Sequence, residues 1–208
     1  MSMKIDRSAI ATIVPALKRA RFPILSVALT YLVSVITGMV MVHLGNPFAL
    51  RTRDNLIYRV YNSNDPTITA LQNNRPLQAA LSDFSQNLIL GGIPSTVGGL
   101  GVVFPYPEAA YRGWIGGIVS VDDDHVSRFA QPGKAVYYLV TLILQLIPYS
   151  LAGGAGVHLG VAYFRLHSGR QKVRWWSMPK DAVLDVVRIY LLIVPLFLIA
   201  SLWEFLLA

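Results

Sequence analysis

Cysteine is absent from the 208-residue chain, and charged residues are scarce. The first absence excludes disulfides, cysteine nucleophiles, thiolate metal sites and iron–sulfur clusters. Charged residues make up 14% of the chain, whereas soluble domains carry about 25%. Because 54% of the residues are hydrophobic and the mean hydropathy is +0.50, the chain cannot cover a water-facing surface in the usual way. The composition therefore predicts a single all-α, polytopic membrane domain over residues 1–208.

The positive charge is grouped at the ends of apolar runs. The formal net charge is +7, and a basic chain can bind nucleic acid, but grouping beside apolar segments is typical of cytoplasmic membrane flanks. This pattern predicts a bacterial inner-membrane protein with a cytoplasmic N-terminus and no nucleic-acid partner. The grouped residues are Lys18, Arg19 and Arg21 before the first apolar run, and Arg165, Arg170, Lys172 and Arg174 after a later one.

Charge-free stretches and breaks divide the chain into membrane and extramembrane segments. The chain is predicted to begin with a cytoplasmic basic segment 1–21, a first span 22–45 and an extracytoplasmic loop 46–83. A second span 84–105, a short span or re-entrant segment 106–121 and an acidic extracytoplasmic connector 122–134 follow. The last part is a span containing Pro148 over 135–164, a cytoplasmic basic loop 165–181 and a last span 182–208. This order gives about five crossings. Alternatively, 84–121 forms one re-entrant hairpin and leaves three full crossings.

Small residues recur four apart in three successive segments, which is the spacing that keeps them on one face of a helix. In lipid, such faces let helix backbones approach closely. The sequence therefore predicts a tightly packed bundle. The predicted packing residues are Gly91, Ser95 and Gly99 in one row, Gly113 and Gly117 in a second, and Ala152, Gly156 and Gly160 in a third.

One pair of opposite charges falls inside the apolar region. Glu108 and Arg112 are four residues apart and can pair on one helix face, which lowers the cost of placing both near the bilayer. A structural ion pair is the plain interpretation. The functional one is a transport path lined by Glu108, Arg112 and Asn87.

Catalytic and metal-binding patterns are weak. Ser95 and His158 form the best candidate for an intramembrane serine–histidine dyad, but no glycine-rich nucleophile motif surrounds the serine. The acidic run 122–125 can hold a hard cation or form a solvated loop, and a haem or pigment ligand at His43 or His158 stays open. The sequence predicts no catalytic, cofactor-binding or metal-binding residue, and no enzyme. The histidines, which lie far apart, are His43, His125, His158 and His167.

Two stretches of the chain resemble the stage II sporulation protein M family. Residues Asn73, Phe84, Asn87 and Gly91 match that family's second span, and Pro148, Ala152, Ala155, Gly156, Leu159 and Gly160 match a later proline-led span. Tyr149 and Ser150 stand where the family has histidine and glycine. The resemblance implies a polytopic, non-catalytic membrane scaffold.

Together these features predict a non-catalytic scaffold or accessory subunit of a larger membrane complex. Its expected partners are other membrane subunits, lipids and an extracytoplasmic protein at loop 46–83. A permease-type transport subunit is the alternative, and an intramembrane serine hydrolase is the third class.

Overall fold

A computed structural model describes residues 7–168 and 174–206, with side chains from residue 12 onwards. Arg170 and Lys172 of the predicted basic loop, and residues 1–6 of the N-terminal segment, lie outside the described residues. The described part is helical with no named strand, so the all-α class is confirmed. The helices are α1 (Arg7–His43), α2 (Pro47–Tyr61), α3 (Pro66–Gln72), α4 (Pro76–Gln86), α5 (Ile93–Gly98), α6 (Pro105–Ile118), α7 (Pro132–His167) and α8 (Lys180–Leu206).

Three of these helices, α1, α7 and α8, are long and apolar enough to cross a membrane. Among the described residues the predicted five crossings are not confirmed. On α1 the apolar side chains that stay exposed recur at helical spacing, as Leu25, Leu29, Val33, Ile36 and Val40 do. A continuous apolar stripe of this kind is what a lipid-facing helix presents.

The predicted second span is not one regular helix. Helix α4 continues into a π-helical turn (Asn87–Gly92), then into α5 and a short 3-10 turn (Gly99–Gly101). The chain reverses at residues 102–104, where Val102 has φ +62°, a conformation that β-branched residues rarely adopt. Helix α6 then runs back. Residues 84–118 therefore form a helical hairpin whose first arm is about 27 Å long at 1.5 Å per residue.

The hairpin is held between α1 and α7. Its returning arm α6 packs along α1, and its tip packs on α7. Helix α8 packs against α7 and α4. Side chains of α1, α7 and α8 meet in a core around Phe197, Ile193 and Tyr149. The hairpin thus fills the space that the three long helices leave.

Three helices occupy the polar segment 46–83, where the sequence analysis predicted a loop. Each begins with a proline in its first turn, a position that lacks a helical hydrogen bond in any case. Asn46 caps α2 and Asp65 caps α3 through side-chain oxygens. We name the side of the bundle that carries α2 to α4 the capped side. The opposite side, where α1 and α8 begin and α7 ends, is the basic side.

Candidate functional site

A cavity of about 410 Å³ lies inside the bundle towards the capped side. Helices α4, α6, α7 and α8 and the π-helical turn form most of its walls, with one side chain each from α1 and α2. Most lining groups are aromatic or aliphatic, but five carry amide or charged groups. These are Asp83, Asn87, Arg112, Gln145 and Glu204.

A chain of polar contacts crosses this cavity and links four elements. The Arg112 guanidinium lies 4.1 Å above the ring of Tyr149, and it donates a hydrogen bond to Glu108 at 3.0 Å. The Tyr149 hydroxyl donates to Asn87 Oδ1 at 2.6 Å. Asn87 in turn donates to Asp83 Oδ2 at 2.8 Å. The predicted pair Glu108–Arg112 is therefore formed, and Arg112 and Asn87 both line the cavity.

Gly91, which belongs to the π-helical turn, leaves space where Tyr149 and Arg112 approach each other. A Cβ added at Gly91 would lie 2.7 Å from the Tyr149 hydroxyl and 3.1 Å from an Arg112 nitrogen. A larger residue at this point would displace the ends of both side chains. π-Helical turns are rare and frequently occur at functional sites. In this chain the turn carries Asn87 at one end and the open space at Gly91.

Two carboxyl groups lie at the mouth of the cavity. Asp83 accepts hydrogen bonds from Ser201 at 2.7 Å and from Asn87, and Glu204 accepts one from Gln145 at 3.2 Å. Within residues 12–168 and 174–206 neither carboxyl is in an ion pair. Burial raises the pKa of Asp83 above its usual value, although the two hydrogen bonds act in the opposite direction.

A second cavity of about 590 Å³ continues from the first towards the capped side. The two share Leu56, Asp83, Ile115, Val119 and Glu204 in their linings. Side chains of α2 and α3 form the outer wall of the second cavity. The bundle therefore contains a continuous recess, mainly apolar with a few polar groups, that begins beside α2 and α3 and ends beside Arg112.

The recess is closed towards the basic side by contacts between glycines. A Cβ added at Gly99 would overlap the backbone of Gly156, and one added at Gly160 would overlap the carbonyl of Gly99. Thr96 donates a hydrogen bond to the Ala152 carbonyl at 2.9 Å. The first and third predicted small-residue rows thus face each other across the α5–α7 contact.

The second row packs on a different helix. A Cβ added at Gly113 would overlap the Tyr31 carbonyl, and one at Gly117 would overlap the Val35 carbonyl. Gly38 of α1 meets the backbone of α6 in the same contact, and the sequence analysis did not single it out. The remaining predicted residue, Ser95, lies against Gly153 of α7.

His158 belongs to an ion-paired cluster on the basic side. Its Nε2 lies 3.3 Å from Asp185, whose side chain is completely buried. Asp185 also accepts hydrogen bonds from Arg19 at 2.7 Å and from Arg188 at 3.3 Å. The cluster joins α1, α7 and α8. Within the described residues no hydrogen bond joins His158 to Ser95.

The other histidines make separate local contacts. His43 bonds to Ser127, and His125 bonds to Asp54 at 3.0 Å, whereas His167 bonds to backbone carbonyls. No group of three or more metal-ligating side chains occurs in the part of the chain that the structure describes. The acidic run 122–125 is engaged by its own backbone and by Lys134 and Arg53.

Sequence reasoning did not single out Asp83, Gln145, Tyr149 or Glu204 as site residues. One signal was present: Gln145 interrupts an apolar run, and intramembrane polar side chains commonly face the interior of a bundle. Asp83 and Asn87 are also four residues apart, which is helical spacing. Nothing in the sequence, however, places α4 beside the end of α8.

Comparison with protein-family models, with curated proteins and with solved structures gives no match for this chain. The resemblance to the stage II sporulation protein M family therefore gains no support from them and stays a prediction.

Proposed function

We propose that this protein is a permease-type membrane subunit that binds a small solute in the recess and passes it across the membrane. The observation that supports this best is the continuous recess in which Asp83, Asn87, Arg112 and Glu204 interrupt a mainly apolar lining. Polar groups are costly inside a membrane and usually mark a substrate or ion path.

The proposed orientation places the capped side outside a bacterial inner membrane. Basic residues flank the long helices on the basic side, as Lys18, Arg21 and Arg165 do, and cytoplasmic flanks carry such an excess. In this orientation the recess opens to the outside and the glycine contact closes it towards the cytoplasm. Passage of the solute then requires the hairpin to move relative to α7. No chemical change of the solute is involved, so the protein would not be an enzyme.

The absence of cysteine makes the first test direct. Single cysteines at Ile115 and Thr141, which line the inner cavity, are exposed to a membrane-impermeant thiol reagent in sealed vesicles of known orientation. We expect both to react from the capped side. Leu29→Cys, at an exposed apolar position on α1, is the control and should stay unmodified in lipid. Unreactive cysteines at both cavity positions would contradict an open recess.

The second test measures flux in vesicles that contain the purified protein. A permease loses solute flux when Arg112 and Glu108 are replaced by Gln, while its assembly in mild detergent is unchanged. Unchanged flux in that variant would contradict the proposed path.

A scaffold or accessory subunit is the second candidate, and one surface favours it. Helix α2 exposes aromatic side chains on the capped side: Phe48 is 66% exposed, Tyr58 70% and Tyr61 60%. Exposed aromatic groups are enriched where proteins bind other proteins. The expected partners are other membrane subunits, lipids around the long helices and an extracytoplasmic protein at residues 46–83. Native mass measurement after mild extraction tests this: Phe48→Ser with Tyr58→Ser, at two positions outside both cavities, should release the partner without changing flux.

A further inference from the structure

The charges of the recess do not balance. Arg112 is paired with Glu108 at 3.0 Å, so its positive charge is already compensated. Asp83 and Glu204 accept hydrogen bonds only from neutral groups among the described residues. The inner cavity therefore contains two carboxyl groups that form no ion pair within the described residues, although the chain as a whole carries a net charge of +7.

The two carboxyl groups lie in one place. Both line the inner and the outer cavity, and Ser201, which donates to Asp83, is three residues before Glu204 on α8. A single positively charged group at the junction of the two cavities can therefore approach both.

Tyrosine rings line the deeper part of the cavity. The Arg112 guanidinium already lies over the face of Tyr149 at 4.1 Å, which demonstrates that a cation fits against this wall. The face of an aromatic ring attracts cations. Aliphatic side chains such as Ile115 and Leu142 complete the wall. The tyrosines are Tyr31, Tyr111, Tyr138 and Tyr149.

The approach to the junction is acidic as well. The outer cavity is lined by Asp65, by the two junction carboxyl groups and by Asp123, which is paired with Arg53 at 2.6 Å. Arg128 is the lining basic residue within the described part of the chain, so carboxyl groups predominate. Clefts lined by one sign of charge raise the local concentration of the opposite ion. Cations would therefore collect in the outer cavity before they reach Asp83 and Glu204.

We propose that the recess binds a small organic cation, an amine with an apolar body, whose ammonium group lies between Asp83 and Glu204 and whose body packs on the tyrosine wall. This assignment of substrate class rests on the proposed permease function. The cavity volume of about 410 Å³ lies within the range of small-ligand pockets. Ca²⁺ and Mg²⁺ bind six or more oxygen ligands, whereas most of this lining is aromatic or aliphatic. An anion would meet two carboxylates and an arginine that is already paired.

The test uses the full chain in lipid nanodiscs with two probes of the same apolar body. 2-Phenylethylammonium carries the positive charge, and 2-phenylethanol replaces it with a hydroxyl. Binding is measured by calorimetry and by protection of the Thr141→Cys variant from the thiol reagent. We expect the ammonium probe to bind and to protect, and the alcohol to bind at least about tenfold more weakly, since hydrogen bonds to charged groups are the stronger ones.

Three variants assign the binding to the two carboxyl groups. Glu204→Gln and Asp83→Asn should each weaken binding of 2-phenylethylammonium by about tenfold, because each removes one negative charge from the junction. Asp54→Asn makes the same chemical change outside both cavities and should leave the affinity within about twofold. If Glu204→Gln does not fold, Asp83→Asn alone decides the outcome, because the asparagine oxygen can accept both hydrogen bonds now made to Asp83 Oδ2.

Failure of the substrate class and failure of the proposed function give different results. Three results would overturn the proposal that the ligand is an organic cation: equal affinity for the two probes, no binding of either, or full competition by millimolar sodium or magnesium. If Thr141→Cys still reacts with the thiol reagent in those cases, the open recess remains supported. An unreactive Thr141→Cys and Ile115→Cys overturns the recess and, with it, the permease proposal.

Discussion

Two carboxyl groups near opposite ends of α8 differ in their surroundings: one is ion-paired, and the other is not paired among the described residues. Asp185, on the basic side, is completely buried and surrounded by Arg19, Arg188 and His158. Glu204, on the capped side, lines the recess and accepts a hydrogen bond from Gln145. One carboxyl is compensated by the protein itself and joins helices. The other lacks a cationic partner among the described residues, which is the arrangement expected of a group that binds a ligand.

The hairpin shows the same contrast along its length. Its tip is dry, because Gly99 and Gly156 bring two backbones together with no side chain between them. Nearer the capped side the same arm separates from α7 and leaves room for Asn87 and Tyr149 to meet. Small residues close the bundle at one end, and polar residues keep it open at the other.

The largest effect is expected from filling the closed end. Gly156→Leu would drive a side chain into the backbone of Thr96, so we expect a loss of more than about 3 kcal/mol of stability, at the upper end of overpacking costs. Thermal unfolding in detergent measures this. Gly133→Leu is the control, since nothing lies within 4 Å of a Cβ at Gly133. Equal midpoints for the two variants would show that the glycine contact does not hold the bundle.

Removing the compensated carboxyl should come next. Asp185→Asn leaves Arg19, Arg188 and His158 without their shared anion, and breaking a buried pair in this way costs about 3 kcal/mol. We expect a cost in the lower part of the range for buried ion pairs, because 49% of the Arg19 side chain is exposed. Glu204→Gln is the matched change at the other end of α8 and should alter the unfolding midpoint little. A larger loss for Glu204→Gln than for Asp185→Asn would reverse the comparison.

Locking the closed end separates movement from binding. Ser95 Oγ lies 3.2 Å from the position of a Cβ on Gly153, so Ser95→Cys with Gly153→Cys brings two sulfurs within reach of a disulfide. Oxidation should abolish flux while 2-phenylethylammonium still binds, because the recess lies on the other side of the contact. Reduction should restore flux, and each single cysteine variant serves as a control. Flux that persists in the oxidised protein would mean that the hairpin does not move relative to α7.

The smallest effect concerns the pH dependence of stability. Because burial raises the folded-state pKa of Asp83, the protonated form stabilises the fold below the unfolded pKa of about 3.9. That contribution is lost as pH rises through the raised folded pKa. Asp83→Asn, which cannot ionise, should therefore become more stable than the natural chain as pH increases from 4 to 7, by less than about 1 kcal/mol. Unfolding midpoints across this range measure the difference, and parallel curves for the two proteins would contradict it.

Much of the architecture was accessible from the sequence, because it depends on local patterns. Residues 22–45 contain no charge and therefore predict a membrane helix, and Gly113 with Gly117 predict a close helix contact. Gly91, Gly92 and Pro94 indicate a break in the second predicted span. A re-entrant hairpin over 84–121 was one of the two predicted alternatives. What the glycines could not reveal was which helix each row would meet.

The site itself was only partly accessible. Arg112, Glu108 and Asn87 stood out as polar groups in apolar surroundings, and they do lie together with the recess. Asp83 is the last residue of the predicted loop 46–83, and Glu204 is near the end of the predicted last span 182–208, so neither stood out as a site residue. They are close to each other because α8 ends beside α4, and no local sequence pattern predicts that contact.

Local sequence patterns suffice to predict a helical protein with long apolar helices, with basic residues grouped at helix ends and small residues in rows. These properties follow from composition and from the 3.6-residue period, which act within one segment. The packing of distant helices, by contrast, gives Asp185 its cationic partners and leaves Glu204 without an ion pair among the described residues. Both carboxyl groups lie near an end of one apolar helix, and their surroundings come from α1, α4 and α7, which are distant in the chain. The charge balance of a site is a property of the helices that meet there, so it is fixed only when they pack.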